Sequence, residues 1–412
     1  MFTWSMTTNG MGCISCKPRN LILRNHQSPG DIVMLTAAVR DLHRGYPGRF
    51  VTDVRTSCPA LWENNPNITR LADDDPEATV LECEYPLIHR SNGSPHHFLH
   101  AFIEHLNDRL GVQIRGTEFR GDIPIGENEK RWMSQVHELT GEDTPFWIVV
   151  AGGKWDYTLK WWDPRRYQRV VDHFRGRIQF VQVGERGHWH PRLDGALDLR
   201  GRTDLRQLVR LVYHAQGVLC PITALMHLAA SVETRPGRPK NRACVVVAGG
   251  REPMQWEAYP HHQYIHTNGQ LLCCDHGGCW KSRIAPLGDG DTKDGDAHRC
   301  LQPIATEAAP HPLERFEMHG GTGWNEAWQP EAAVRATQTL PRCLDQITAE
   351  EVIRRIEGYY TGGALQRLTP EQAAAASLAV AAQHLHAEAG PQPESDAWRS
   401  PEATNVETLT AV

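Results

Sequence analysis

Short apolar runs alternate with longer amphipathic stretches along most of this chain, and that alternation limits its fold more than any other feature. Leu21-Ile22-Leu23 is followed by the break Ser28-Pro29-Gly30 and then by apolar residues at helical spacing from Asp31 to Leu42, stopping at Gly45. Phe50 to Val54 and Ala78 to Cys83 read as two further strands, and His97 to Leu110 reads as a helix ended by Gly111. A second series starts at Phe146 to Val150. It continues with a helix over Pro164 to Phe174, a strand over Ile178 to Val183, a helix over Asp204 to His214, a strand over Gly217 to Cys220, a helix over Ala224 to Val232 and a strand over Cys244 to Val247. Strands separated by helices need crossover connections, so the pattern predicts parallel sheets in an α/β fold. With 412 residues the chain exceeds what one core usually fills. Two such units in tandem predict a bilobal molecule with a cleft.

Between the units, residues 115 to 145 carry Gly121, Pro124 and Gly126 and predict one helix around Glu129 to Leu139, which reads as a connection. The first 20 residues are polar and read as an extension, with Cys13 and Cys16 in a C-x-x-C spacing that has no second pair nearby. From Ala364 onward Ala, Glu, Gln and Pro dominate, predicting a helix over 370–388 and a disordered, low-complexity end. A formal net charge of -6 gives no electrostatic footprint for nucleic acid. Runs such as Cys244 to Ala248 fall well short of the ~18 residues of a membrane span, and the expected location is the cytoplasm.

Four turns carry residues suited to chemistry. In Pro29-Gly30-Asp31, glycine lets a ligand approach the backbone. Asp31 either caps the helix or, facing the cleft, takes a proton from a hydroxyl. Gly152, Gly153, Lys154 and Lys160 precede the helix at Pro164, supplying backbone donors, positive charge and a helix dipole of the kind a diphosphate needs. They match neither a Walker A spacing nor G-x-G-x-x-G. Glu185, in Val183-Gly184-Glu185-Arg186-Gly187-His188, is either an exposed loop carboxylate or an acceptor for ribose hydroxyls or a base. Thr223 and His227 open the helix after Leu219-Cys220-Pro221. His227 is either a buried, satisfied histidine or part of a second anion site.

The order of these turns resembles glycosyltransferase family 9, the heptosyltransferase-like enzymes. The resemblance rests on Gly30-Asp31, the phrase Leu42-His43-Arg44-Gly45-Tyr46-Pro47, the turn Lys160-Trp161-Trp162-Asp163-Pro164, Gly184-Glu185, Gly201-Arg202-Thr203-Asp204-Leu205 and the helix from Thr223 to Ala230. Cys343-Leu344-Asp345-Gln346-Ile347-Thr348-Ala349-Glu350-Glu351-Val352 resembles that family's ending, and the likeness covers about residues 21 to 361. Ile222 and Ala224 depart from it, since the family usually places an acidic residue and a glycine beside the threonine. The resemblance implies a GT-B fold of two Rossmann-like, doubly wound domains facing a cleft. The acceptor-side domain would span 21–135 and the nucleotide-sugar domain 146–361, the latter with a Cys-rich insert at 249–343 and a tail over 364–412. It further implies an inverting transfer of a sugar, heptose by default, from a nucleotide-diphosphate donor to a hydroxyl acceptor. Asp31 and Lys160 would be catalytic, with Gly30, Gly152, Gly153, Lys154, Glu185, Thr223 and His227 binding the nucleotide sugar and no catalytic divalent cation required.

Cys273, Cys274, Cys279 and Cys300 crowd one stretch, with Cys343 further on. Cys274, Cys279, Cys300 and Cys343 could supply four thiolates to structural iron or zinc, with Cys273 or His276 as replacements; packed, metal-free thiols are the other reading. Iron resembles the cysteine-metal branch typified by autotransporter heptosyltransferases. A sugar-nucleotide epimerase of the same fold and a noncatalytic metal-stapled binding protein are the competing functions, and a homo-oligomer is compatible with each.

Overall fold

The computed structural model describes residues 17–84, 87, 91–93, 95–274, 277–306 and 330–388. Cys13, Cys16, His276, most of the N-terminal extension and the expected disordered end from 389 lie outside the described residues. The first sheet is parallel and three-stranded, with order β2-β1-β3 over β1 (Arg19–Asn25), β2 (Phe50–Thr56) and β3 (Thr79–Glu82). Helix α1 (Pro29–Gly45) leaves β1 after Ser28, the N-cap. Proline at its first position has no N–H to satisfy there, and the Asp31 carboxylate accepts the Ser28 N–H at 3.0 Å. Asp31 is therefore the third helical residue rather than the cap itself. Helix α2 (Phe98–Leu110) ends on Gly111 in the left-handed conformation, at φ 66°.

The helix expected around Glu129 to Leu139 is instead two short ones, α3 (Glu127–Lys130) and α4 (Gln135–Thr140). Ser134 divides them, because its hydroxyl accepts the His137 N–H at 3.0 Å and so begins a new helix. Glu129 of α3 is buried against Arg206, whose Nη2 donates to it at 2.6 Å and to the Pro124 carbonyl at 2.8 Å.

The second sheet is parallel and six-stranded, with order β6-β5-β4-β7-β8-β9. Its strands are β4 (Phe146–Val149), β5 (Gln179–Gln182), β6 (Leu197–Asp198), β7 (Gly217–Pro221), β8 (Ala243–Gly249) and β9 (Gln263–His266). Helices α5 (Pro164–Phe174), α6 (Leu205–His214), α7 (Ala224–Ser231) and α8 (Met254–Glu257) connect them. Every residue of β8 is buried, as expected of a strand covered on both faces. The chain enters at β4, winds outward through β5 and β6, then returns to the other side at β7. The order therefore reverses between β4 and β7, the place where doubly wound sheets open a ligand crevice at the strands' carboxyl ends.

Beyond β9, strand β10 (Pro303–Ala305) pairs antiparallel with β11 (Thr339–Pro341), which follows α9 (Pro330–Thr337) and leads into α10 (Arg342–Asp345). Helix α11 (Ala349–Thr361) starts on Thr348, whose hydroxyl accepts the Glu351 N–H at 3.2 Å. The helix expected over 370–388 is present as α12 (Pro370–Glu388), tied to β6 by the Asp198 N–H on Gln383 Oε1 at 2.8 Å. The loop from 283 to 294 is built around the fully buried Arg283, whose guanidinium forks onto Asp289 at 2.8 and 2.7 Å and also pairs with Asp294. One apolar core runs from Leu21 and α1 through α2 to β7, β8 and α7, so the two sheets are packed together through α1 and α7.

Candidate functional site

Each strand-to-helix turn singled out in the sequence lies at the carboxyl end of its strand, and the turn after β1 meets the turn after β7. A β carbon at Gly30 would stand 3.0 Å from His227 Cδ2 and 3.7 Å from the Ala224 Cα, so only glycine fits there without displacing the imidazole. His227 is buried, with Nδ1 2.9 Å from the Tyr259 hydroxyl and Nε2 3.3 Å from Glu257 Oε2. Asp31, one residue on, is also buried, and one of its oxygens is used by the Ser28 N–H.

Lys160 ends a 3-10 turn, Trp155–Lys160, that follows β4 and is pinned by the Ile284 N–H on the Thr158 hydroxyl at 2.8 Å. Its Nζ lies 3.0 Å from Glu252 Oε1 and 5.6 Å from the centre of the Tyr157 ring. Burial, and after it the neighbouring Arg251 guanidinium, lowers the ammonium to about 8, against the opposing pull of Glu257, Tyr157 and Asp31. Burial pushes the Glu257 carboxyl up. The hydrogen bond and charge of His227, then Lys160 and His97, outweigh it and hold Glu257 below the ordinary carboxylate range. Tyr259 is raised well above a free phenol by burial and by the Glu257 charge. Asp31, Lys160, Glu257 and His227 thus form one electrostatically linked group across the crevice.

Other residues named from the sequence sit differently. Gly152 and Gly153 have φ of 88° and 156°, and a β carbon at Gly152 would lie 2.0 Å from the Trp189 carbonyl. The Gly153 N–H donates to that carbonyl at 2.8 Å, and the Trp189 N–H returns to Gly153 at 3.0 Å. These glycines let two backbone segments touch, and the Gly153 donor is engaged within the protein. Lys154 is half exposed and pairs with Asp156 at 3.1 Å, away from Glu252. Glu185 is a 73% exposed carboxylate at the end of β5, 3.6 Å from His188 Nδ1. Thr223 caps α7 by backbone position only; its hydroxyl oxygen is buried without a hydrogen-bond partner, a polar atom at a helix N-terminus suited to an anion. Glu252, Glu257 and Tyr259 were not assigned roles from sequence, although the polar and aromatic richness of 250–262 directly after a strand was the available signal.

Cys273, Cys274, Cys279, Cys300 and Cys343 all line one cavity of about 10 Å³. Burial pushes Cys300 up to about 11 and Cys343 up to about 12, with the neighbouring thiols adding to both. Among the described residues no group of three or more His, Cys, Asp or Glu side chains is arranged to hold a metal ion as it stands. The donor chemistry nonetheless fits: soft sulfur atoms from three separated segments converge on one small pocket. Every described cysteine is free, and no described helix is long and apolar enough to cross a membrane.

Residues 157–236 match the family model of glycosyltransferase family 9 (heptosyltransferase), a span that includes Lys160, Glu185, Thr223 and His227 but not Asp31 or Cys273, Cys274, Cys279, Cys300 and Cys343. No curated protein matches the sequence. Among solved structures, the bacterial iron-containing dodecameric glycosyltransferase TibC from enterotoxigenic E. coli H10407 is 16% identical, with 85% of this chain and 78% of that one covered and a TM-score of 0.50. TibC in complex with ADP-D-beta-D-heptose gives 15% identity, 84% and 77% coverage and a TM-score of 0.51. The E. coli ADP-heptose lps heptosyltransferase II is 13% identical, covering 84% of this chain and 100% of its own, with a TM-score of 0.47. The fold is GT-B.

Proposed function

We propose that this chain, a glycosyltransferase by its family 9 domain, moves heptose from a nucleoside-diphosphate donor to a hydroxyl acceptor with inversion at the anomeric carbon. The observation that carries the reading is the meeting of the Gly30-Asp31 turn of the first sheet with the Lys160 and Thr223 turns that flank the reversal point of the second. In this reading the lobe over 21–135 presents the acceptor and the lobe over 146–361 holds the donor. Asp31 accepts the proton of the acceptor hydroxyl as its oxygen attacks the anomeric carbon. The bond to the diphosphate breaks on the opposite face, and the negative charge that leaves is met by Lys160 and by the amino end of α7 at Thr223. His227, held by Tyr259 and Glu257, keeps the two turns in register. Glu185, in this reading, accepts from the ribose hydroxyls.

Cys274, Cys279, Cys300 and Cys343 would hold iron as a structural staple. In this reading the enzyme works in the cytoplasm, where thiols stay reduced, and several copies assemble. The test is incubation of the purified protein with radiolabelled nucleoside-diphosphate sugars, ADP-heptose included. Slow release of labelled sugar supports a transferase. Interconversion of the donor shows an epimerase instead, and an untouched, unbound panel overturns the enzymatic reading.

A further inference from the structure

Arg251 and Glu252 follow β8 at its carboxyl end, on the same sheet edge as Lys160 and Thr223. Both are buried, Arg251 to 7% and Glu252 to 4% exposure. Glu252 Oε1 is met by Lys160 Nζ at 3.0 Å and also by the Arg251 guanidinium, so one carboxylate oxygen serves two cations. Its other oxygen, Oε2, is buried without a hydrogen-bond partner. Arg251 is fixed in place: its Nε donates to the Lys281 carbonyl at 2.5 Å, and its guanidinium lies over the Tyr157 ring at 5.1 Å and the Trp280 ring at 5.7 Å. Lys160 approaches the same Tyr157 ring. Two cations held around one ring and one oxygen repel each other, and a carboxylate that uses only one of its oxygens balances them poorly.

We propose that Arg251 and Lys160 together form a two-cation cradle for the diphosphate of the donor, and that the Glu252 carboxylate stands in for that diphosphate while the crevice is empty. The proposal rests on the donor reading above and adds to it a second cation and an internal competitor. A diphosphate brings at least two charges and several acceptor oxygens, so it can engage the planar guanidinium through two of them while another meets the ammonium. The lowered ammonium of Lys160, for which Arg251 is the largest cause after burial, agrees with two cations waiting for more negative charge than one carboxylate supplies.

The test is calorimetric titration of the full chain with ADP, UDP, GDP and CDP and with the matching monophosphates as probes. The parent should bind its preferred diphosphate at least about tenfold more tightly than the monophosphate. Arg251→Gln should lose about tenfold in diphosphate affinity with monophosphate affinity within about twofold of the parent, and Arg251→Lys should recover part of the loss. Glu252→Gln should bind the diphosphate several-fold more tightly, because the competing charge is gone. Arg251→Gln within twofold of the parent, or Glu252→Gln that binds the diphosphate no better or worse, overturns the cradle while leaving the donor reading intact. If Arg251→Gln does not fold, the sign of the Glu252→Gln change decides. A parent that binds none of the diphosphates fails at the earlier step, and the donor reading and the cradle fall together.

Discussion

Gly30 lies against the imidazole of His227, with room for a hydrogen but not for a β carbon, which would stand 3.0 Å from Cδ2. This contact joins the turn after β1 to the helix after β7 and sets Asp31 beside the second sheet. Gly30 does not adopt a left-handed backbone. Gly30→Ala is therefore permitted by the helix, and its whole effect should pass through His227. Turnover should fall by about tenfold, ~1.4 kcal/mol of barrier, with little change in thermal midpoint. A variant with parental turnover would show that the imidazole does not set the register of the two turns.

Asp31→Asn should lower turnover by about a hundredfold or more while leaving donor affinity nearly unchanged. The carboxylate also serves the first turn of α1, so a loss of about 0.5–1 kcal/mol in stability should accompany it. Initial rates beside a denaturant titration separate the two effects. Turnover within a few-fold of the parent would remove Asp31 as the base.

Lys160 titrates at about 8 in the folded protein, below its ordinary value of 10.5. Between these values the unfolded chain holds more protons than the folded one, so this group makes stability rise with pH across that window, and it contributes no such slope below it. Binding runs the other way. A diphosphate favours the charged ammonium, so affinity should fall as pH rises above about 8, and the complex should take up protons there. Calorimetry in buffers of different ionisation enthalpy measures that uptake, and Lys160→Ala should abolish it. Equal uptake by parent and variant would assign the proton to another group.

Arg283→Met should be costly, because Asp289 and Asp294 face the buried guanidinium and Asp156 stands 3.7 Å from it. Leaving those carboxylates uncompensated should cost on the order of 3 kcal/mol at neutral pH. Arg283 holds the Asp289 carboxyl below the ordinary range, so without the guanidinium Asp289 should protonate more readily. The deficit should then shrink on acidification, which paired melts at pH 7 and pH 4.5 would measure. A loss that does not change with pH would mean that packing, not charge, makes Arg283 matter.

Purified protein should carry about one iron per chain, and Cys279→Ser or Cys300→Ser should release it with loss of stability, since metal affinity is linked to folding. Elemental analysis and visible absorption measure this directly. Metal-free protein whose cysteines all react with an alkylating reagent only after unfolding would mark the cavity as packed thiols.

Much of the fold was legible because its signals are local. Pro29, Gly111, Pro164 and Thr348 mark helix ends by their own backbone chemistry, and the buried strands of a parallel sheet announce themselves as apolar runs. The two-residue β6 was missed, being too short to show a period, and β9, Gln263-Tyr264-Ile265-His266, because it carries no apolar run. The break at Ser134 was hidden because Trp132, Met133 and Val136 on either side of it let one helix be drawn through. At the site, Asp31, Lys160, Thr223 and His227 were found because each follows a strand. Glycine was harder to interpret. Gly152 and Gly153 suggest phosphate donors by type, yet the contact that uses the Gly153 N–H comes from Trp189, dozens of residues away. Arg251, Glu252 and Glu257 gain their meaning from Lys160 and His227 on other turns, and no spacing along the chain reports such a pairing.

Gly250, the residue before Arg251, is wedged against the cysteine cavity: a β carbon there would lie 3.1 Å from Cys274 Sγ and 3.4 Å from Cys343 Cβ. Thr267, at the end of β9, is also tied to the Cys343 carbonyl at 3.0 Å. The loop that carries two of the crevice's charges therefore leans on a residue made long after it. The far end of the chain also covers the second sheet: Leu340, Leu344, Ile347, Val352 and Ile356 are buried with Trp147, Val245 and Val247. Until this segment is made, that face is bare and the floor beneath Arg251 and Glu252 is missing. A nascent chain halted before that point would keep both an uncovered sheet face and an unset crevice, so the last part of the chain to be made completes the core and the charged loop in one step.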